Sequence, residues 1–263
     1  MFVSLTHADE IRLVRRTDCE DSDYKQCELR ALDLSEVARK LERATGKPEG
    51  TFSAETLKPR LHILGTELAE GFFADGIVLV EGRSDRAALA AAAQLLGANF
   101  EAAGIAVLSV EGKNNLDRPY LIFRELGIPV FVVWDCDCGT NDHKPATNLA
   151  LTRLVRPDEE IDQPDEETVV AASYAHFEVT LERLIKDEIT ADVYNACLAT
   201  ACEPFGFDAS NDAQKIPTVM HGLLAEAKNQ GRTCASLEAL VRAIWLHLKN
   251  TELPIPAGQA AAA

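Results

Sequence analysis

The chain has 263 residues, about 1.8 domains at roughly 150 residues each, and 47% of them are apolar. With 26% charged residues it is neither disordered nor fibrous. Its 42 Asp and Glu outnumber 26 Lys and Arg, for a net charge of −16. That excludes coating nucleic acid or an anionic membrane by bulk charge. Contact with DNA would need a local basic surface, a partner, or metal ions that recruit phosphate.

No apolar run approaches the roughly 18 residues of a membrane span. The opening MFVSLTHADEIRLVRR lacks the basic lead, long apolar stretch and small-residue cleavage site of a secretory leader. Seven cysteines (19, 27, 136, 138, 197, 202, 234) are an odd count over a long chain. They fit reduced thiols better than a disulfide framework. The expectation is a soluble cytoplasmic protein.

Residues 1–70 are expected to be mostly helical. Ile11 to Val14 suggests a short strand, and Asp18 to Lys25 a polar loop. From Asp33, Leu34, Val37, Ala38 and Leu41 recur at helical steps until Gly46-Lys47-Pro48 breaks the pattern. A second helical run covers about Ala54 to Phe73, bent around Pro59 and Gly65. Residues 71–187 read as a parallel α/β unit. Ile77–Val80 is a buried-strand run, Ser84 caps a helix over Ala87–Leu96, and Gly97 stops it. Ile105–Val110 is a second strand, Leu116–Leu126 a second helix, and Pro129–Trp134 a third strand. A fourth strand falls at Thr168–Ser173, with a helix over Glu178–Asp187. The β-α-β-α-β alternation predicts a mostly parallel sheet flanked by helices. Residues 188–263 read as a helical domain, with helices near Ala191–Cys202, Ala213–Asn229 and Ser236–Leu248, and a frayed tail from Pro254.

In open parallel sheets, ligands bind beyond the carboxyl ends of the strands. Glu81 follows the first strand in VLVEGRSD, with Asp85 four residues on, and Asp135 ends the third in VFVVWDCDCGTND. Strand alternation points Asp135 and Asp137 the same way. Carboxylates gathered at one sheet edge repel unless a cation sits among them, and oxygen donors suit Mg²⁺ or Mn²⁺. Taken singly, E-G-x-x-D and D-x-D are weak signals; their order at the ends of apolar strands is what gives weight.

That combination resembles the Toprim domain shared by bacterial primases, type IA and type II topoisomerases and some nucleases. FFADGIVLVEGRSDRAAL, VLSVEGKNNL and LGIPVFVVWDCD are similar to the Toprim region of the OLD (overcoming lysogenization defect) nucleases. The resemblance covers about residues 70–185. It implies a Toprim, Rossmann-like sheet and a two-metal DNA endonuclease or nickase. Glu81, Asp85, Asp135 and Asp137 would be catalytic and hold two Mg²⁺ or Mn²⁺ ions. Glu178 would be a further metal ligand, and Lys215 a catalytic lysine stabilising charge on the phosphate. Glu178 at its helix start and Lys215 on the surface also have plain structural explanations. OLD proteins carry an ATPase in their N-terminal half, yet this sequence has no G-x-x-x-x-G-K-[ST]; Gly112-Lys113 lacks both the spacing and the following hydroxyl residue. The resemblance therefore implies a C-terminal piece without an ATP site, whose partners are DNA, a missing ATPase domain and, in a homodimer, a second copy.

The alternative is a non-catalytic metal-binding or assembly module of a larger ATPase-nuclease protein. A topoisomerase is disfavoured because Tyr24, Tyr120, Tyr174 and Tyr194 lie in no separate domain with an obvious catalytic tyrosine, and priming would need more nucleic-acid-binding surface than the sequence offers. Cys136, Cys138 and His143 offer three zinc donors where a structural site uses four, so reduced thiols are the better account. Asn114 and Asn115 read as a turn at the cleft edge, and Lys228, Arg232, Arg242 and Lys249 as a solvated helical face.

Overall fold

A computed structural model describes residues 9–19, 22–63 and 67–253. The chain opens on an antiparallel hairpin, β1 (Arg12–Cys19) and β2 (Ser22–Ala31), paired from Arg12↔Ala31 to Cys19↔Ser22. Much of the stretch expected as a loop is therefore ladder, and the described residues of the N-terminal segment hold this hairpin as well as helical turns. Val14 and Leu29, paired across the hairpin, are both exposed, while Ile11 and Leu13 pack on the core. The described side chains of this ribbon lie largely in solvent and need no apolar face, so periodicity does not reveal it.

Helix α1 (Leu34–Thr45) follows the expectation. Asp33 caps it by accepting the Ser35 and Glu36 amides, Leu34, Val37, Ala38 and Leu41 form its buried stripe, and Gly46 ends it in the left-handed conformation. The second helical run is broken more than expected: α2 spans only Ala54–Leu57, and 3₁₀ turns follow at Lys58–Ile63 and Leu68–Phe73. Pro59 lies in the first of these turns; the bend expected at Gly65 and the tail from Pro254 lie outside the described residues.

The central sheet joins β3 (Gly76–Val80), β4 (Ile105–Ser109), β5 (Val130–Asp135), β6 (Val169–Val170) and β7 (Tyr174–Phe177) in the order β4-β3-β5-β7-β6. All pairs are parallel except the β6–β7 edge. The fourth parallel strand is thus Tyr174–Phe177, and the run expected to form it supplies only the short antiparallel β6. Both segments are apolar, so periodicity does not rank them, but the four residues of β7 are all buried whereas β6 is half-buried.

Helix α3 (Arg83–Leu95) follows β3, and α4 (Asp117–Glu125) lies between β4 and β5. Helix α5 (Pro145–Val155) was not expected at all. Two of its buried positions, Asn148 and Thr152, are polar and interrupt the apolar stripe that would have announced it. Helices α6 (Leu181–Ile189), α7 (Ala191–Cys202), α8 (Pro217–Asn229) and α9 (Ala235–Lys249) complete the chain close to the expected positions.

Alternate residues of the sheet feed two cores. Val78 and Val80 of β3, with Phe131 and Val133 of β5, point to one core with α3 and α6–α9. Ile77 and Leu79, with Val130, Val132 and Trp134, point to the other with α1, α4 and α5. This is the signature of a sheet covered on both faces. Alanines at 87, 88, 91, 92 and 93 give α3 a thin surface, and α8 packs against it. None of the described helices is long and apolar enough to cross a membrane.

Candidate active site

The pairing of β3 with β5 at Leu79↔Val132 brings their carboxyl ends to one edge. Glu81 leaves β3 there, and its Oε1 accepts the backbone amide of Asp135 at 2.7 Å. Gly82, extended, caps α3, and Asp85 in the first turn turns its Oδ2 back onto the Gly82 amide at 2.9 Å. Ser84 therefore does not cap the helix as expected; the carboxylate of Asp85 does. Asp135 Oδ1 in turn accepts the Leu181 amide at the start of α6, at 3.0 Å. Each carboxylate is thus held by a backbone N–H from another part of the site or from its own turn, which fixes its direction without neutralising it.

Asp137 joins the group by another route than the one expected. The chain is not extended there: Asp137 has φ of 59°, uncommon for a residue with a Cβ. Its Oδ2 is instead held by the ammonium of Lys113 at 2.7 Å. Lys113 is buried, with 3% of its side chain exposed, and also donates to the Asp135 carbonyl at 2.5 Å. It sits in the 3₁₀ turn Lys113–Asn115 after β4, entered through Glu111 and Gly112, both at positive φ. The sequence reading gave this residue no role: it quoted Lys113 within VLSVEGKNNL and tested Gly112-Lys113 as a phosphate loop. The available signal was its place at the carboxyl end of β4, beside the strand that carries Glu81.

The four carboxylates thus share this edge with one buried ammonium, which pairs with Asp137 and also attracts Glu81, and full ionisation would leave three negative charges uncompensated. The proton affinities of Glu81, Asp85 and Asp135 rise accordingly. Burial, with added repulsion from Asp85 and Asp137, pushes Glu81 up to about 7 against the pull of the Asp135 amide and Lys113. Burial, then Glu182 and Asp137, pushes Asp85 up to about 6. Asp135 rises well above the usual carboxylate range through burial and repulsion from Asp85, Glu81 and Asp137. The donor set is oxygen-only and anionic, which fits a hard divalent cation such as Mg²⁺ or Mn²⁺.

The side chains of the other two expected site residues take no part in these contacts. Glu178 is exposed and precedes the Thr180 cap, so it does not open α6 as expected; its backbone amide donates to Thr168 Oγ1. Glu182, in the first turn of α6, is the acid whose charge Asp85 feels. Lys215 ends a 3₁₀ turn (Ala213–Lys215) and pairs at 2.8 Å with Asp212. Its neighbour Gln214 is buried, and the assignment of its amide that satisfies both ends turns the nitrogen to the Glu182 carboxylate, 3.1 and 3.2 Å away. Asn115 closes a turn by donating to the Val110 and Glu111 carbonyls.

A mostly parallel, doubly covered sheet with carboxylates after its first and third strands defines a Toprim-type α/β fold. Residues 72–137 match the family described as the TOPRIM domain of overcoming lysogenization defect protein-like proteins. The match runs from Phe72, before β3, to Asp137, and so spans all four carboxylates. No curated protein matches this chain. Among solved structures, the chain is similar to the C-terminal region of the Burkholderia pseudomallei OLD protein, at 24% identity over 68% of this chain and 98% of that one, with a TM-score of 0.44. It is also similar to the C-terminal region of the Xanthomonas campestris pv. campestris OLD protein, at 21% identity over 69% and 95% of the two chains, with a TM-score of 0.43.

Proposed function

We propose that the chain is a Mg²⁺ or Mn²⁺-dependent DNA endonuclease or nickase acting in the cytoplasm. Residues 71–187 would form its catalytic unit, and the helices of 188–263 would support it. The observation that carries this reading is the convergence of Glu81, Asp85, Asp135 and Asp137 at one sheet edge, the first three held by backbone amides and Asp137 by Lys113, which leaves the group three charges short of neutral. The match to a TOPRIM domain over the same residues supports it.

These four carboxylates would hold two ions, which when bound supply a charge clamp for a phosphodiester and acidify a water. The chain's own contribution is orientation. The Asp135 amide aims Glu81, the Gly82 amide aims Asp85, and the Leu181 amide aims Asp135. Lys113 holds Asp137 against the other acids while no cation is bound. Lys215, once released from Asp212, would face the phosphate and stabilise its developing charge. Glu178 would serve as an outer acid reached from the β7–α6 connection, alongside Glu182. An ATPase domain and a second copy of the chain are the partners this reading implies.

The test is cleavage of supercoiled plasmid in EDTA, Mg²⁺, Mn²⁺ or Ca²⁺, comparing wild type with Asp135→Asn. Nicked or linear product with Mg²⁺ or Mn²⁺, lost in EDTA and in the variant, is the expected result. Folded wild type that yields no product with any metal would refute it, and would favour a metal-binding assembly module.

A further inference from the structure

We propose that Cys138, His143 and Glu166 form a second metal site, for a zinc-class ion, sharing no residue with the carboxylate cluster. The Sγ of Cys138, a ring nitrogen of His143 and a carboxylate oxygen of Glu166 all lie within 4.8 Å of one another. His143 Nε2 stands 2.8 Å from Glu166 Oε1 and 4.0 Å from Cys138 Sγ. A tetrahedral zinc with ordinary bond lengths would set the corresponding separations at about 3.3 and 3.5 Å. Side-chain shifts of about half an ångström would therefore close the site.

The fold builds this group deliberately. After Asp137 the chain makes two successive turns, closed by the Thr140 amide on the Asp137 carbonyl and the His143 amide on the Thr140 carbonyl. They return His143 onto Cys138, and the left-handed backbone at Asp137 and Gly139 makes the reversal tight. Glu166 arrives from the connection between α5 and β6. Its Oε1 is oriented by Nδ2 of Asn148 at 2.8 Å, and Asn148 is wholly buried on α5. Such a buried partner behind a ligand carboxylate is the usual outer support of a metal ligand. Glu166 was invisible to the sequence reading because it lies 23 residues beyond His143.

The geometry argues against the other reading of a Cys-His-Glu set, a nucleophile with a relay base. A relay needs the thiol on one ring nitrogen and the acid on the other. Here both neighbours address Nε2, so three donor atoms converge on a common point. Sulfur and nitrogen donors separate this set from the oxygen-only cluster and favour zinc over magnesium. Cys136 is not part of it: its Sγ faces the Asp165 carbonyl and His176 Nδ1. A solvent molecule would fill the fourth position. An ion here would fasten the Asp137 turn to the connection before β6, and so fix one edge of the carboxylate cluster.

The test uses the purified full chain, stripped with a chelator and titrated with Co²⁺. The expected result is a sulfur-to-cobalt charge-transfer band in the near ultraviolet that saturates at one equivalent per chain and is displaced by Zn²⁺. The band should vanish in Cys138→Ser and fall at least tenfold in apparent affinity in Glu166→Gln, which preserves the shape of the side chain. It should persist in Cys136→Ser and in Asp135→Asn, which separates this site from the carboxylate cluster whatever the plasmid assay shows. A folded wild type without the band overturns the proposal, as does a band that survives Cys138→Ser. If Cys138→Ser does not fold by circular dichroism, the Glu166→Gln titration decides.

Discussion

Glu81→Gln should make the metal-free protein more stable, although it removes a residue placed at the heart of the site. Glutamine has the same shape, and its Oε1 can still accept the Asp135 amide that Glu81 accepts at 2.7 Å. What the substitution removes is charge. The folded state raises Glu81 from an ordinary 4.5 to about 7, which corresponds to about 3 kcal/mol against the ionised fold. Because the folded value is the higher one, Glu81 favours the fold below about pH 4.5 and forfeits that advantage as pH climbs through about 7. At pH 8 in EDTA, Glu81→Gln should therefore melt roughly 6–12 °C above wild type, at about 2–4 °C per kcal/mol for a chain of this size. At pH 4 the gap should shrink towards zero. Added Mg²⁺ or Mn²⁺ should raise the wild type more than the variant, because an ion at a hundred times its dissociation constant contributes about 2.7 kcal/mol to the state that binds it. Differential scanning fluorimetry across pH, with and without metal, reads all three effects. A variant that melts at or below wild type at pH 8 in EDTA, with native circular dichroism, would refute the electrostatic reasoning.

Lys113→Met should act in the opposite sense. It leaves Asp137 among three other acids without its partner, so the metal-free protein should lose about 3 kcal/mol at pH 8 in chemical denaturation, with part of that loss recovered in Mg²⁺. Lys215→Ala should leave the melting temperature within about a degree of wild type, since its pair with Asp212 is exposed. If it serves the phosphate, plasmid cleavage should fall about a hundredfold or more; unchanged cleavage would remove it from the site. Gly71→Ala places a new methyl 2.6 Å from Cζ of the buried Phe123. Urea unfolding should show a loss of about 1–3 kcal/mol, with cleavage per folded molecule unchanged.

The parts of the fold legible in the sequence are those where a single physical pattern dominates. The uninterrupted apolar runs ending at Val80 and Trp134 mark fully buried parallel strands, and the acids that follow them fall at the sheet edge because strand ends do. The helices near Ala191 and Ser236 carry plain apolar stripes and were placed within a residue or two. What escaped was set by partners distant in sequence. The hairpin β1–β2 hides because its described side chains are largely wet, and α5 because Asn148 turns a buried position to Glu166 and the Cys136 carbonyl. Asp137 was placed correctly beside the other acids for the wrong reason: a left-handed turn and a buried lysine bring it there. Glu166 belongs to no local motif, and Lys113, though inside VLSVEGKNNL, is given no role by it; only the folded chain shows what each neutralises or completes.

The division of the sheet into two cores has a consequence for how tolerant the carboxylate edge is to change. Neighbouring residues of β3 serve opposite layers, Val78 and Val80 one and Ile77 and Leu79 the other. Sliding β3 by one position against β5 would therefore exchange the contents of both layers at once. Neither layer can drift alone, because the other vetoes the slip. The same register carries Glu81 to the Asp135 amide. Large-to-small changes in one layer should then weaken the protein before they misalign its acids, and losses of fit between Glu81 and Asp135 should require damage to both layers together. The edge thus has a form of geometric insurance, underwritten twice by packing that never touches it.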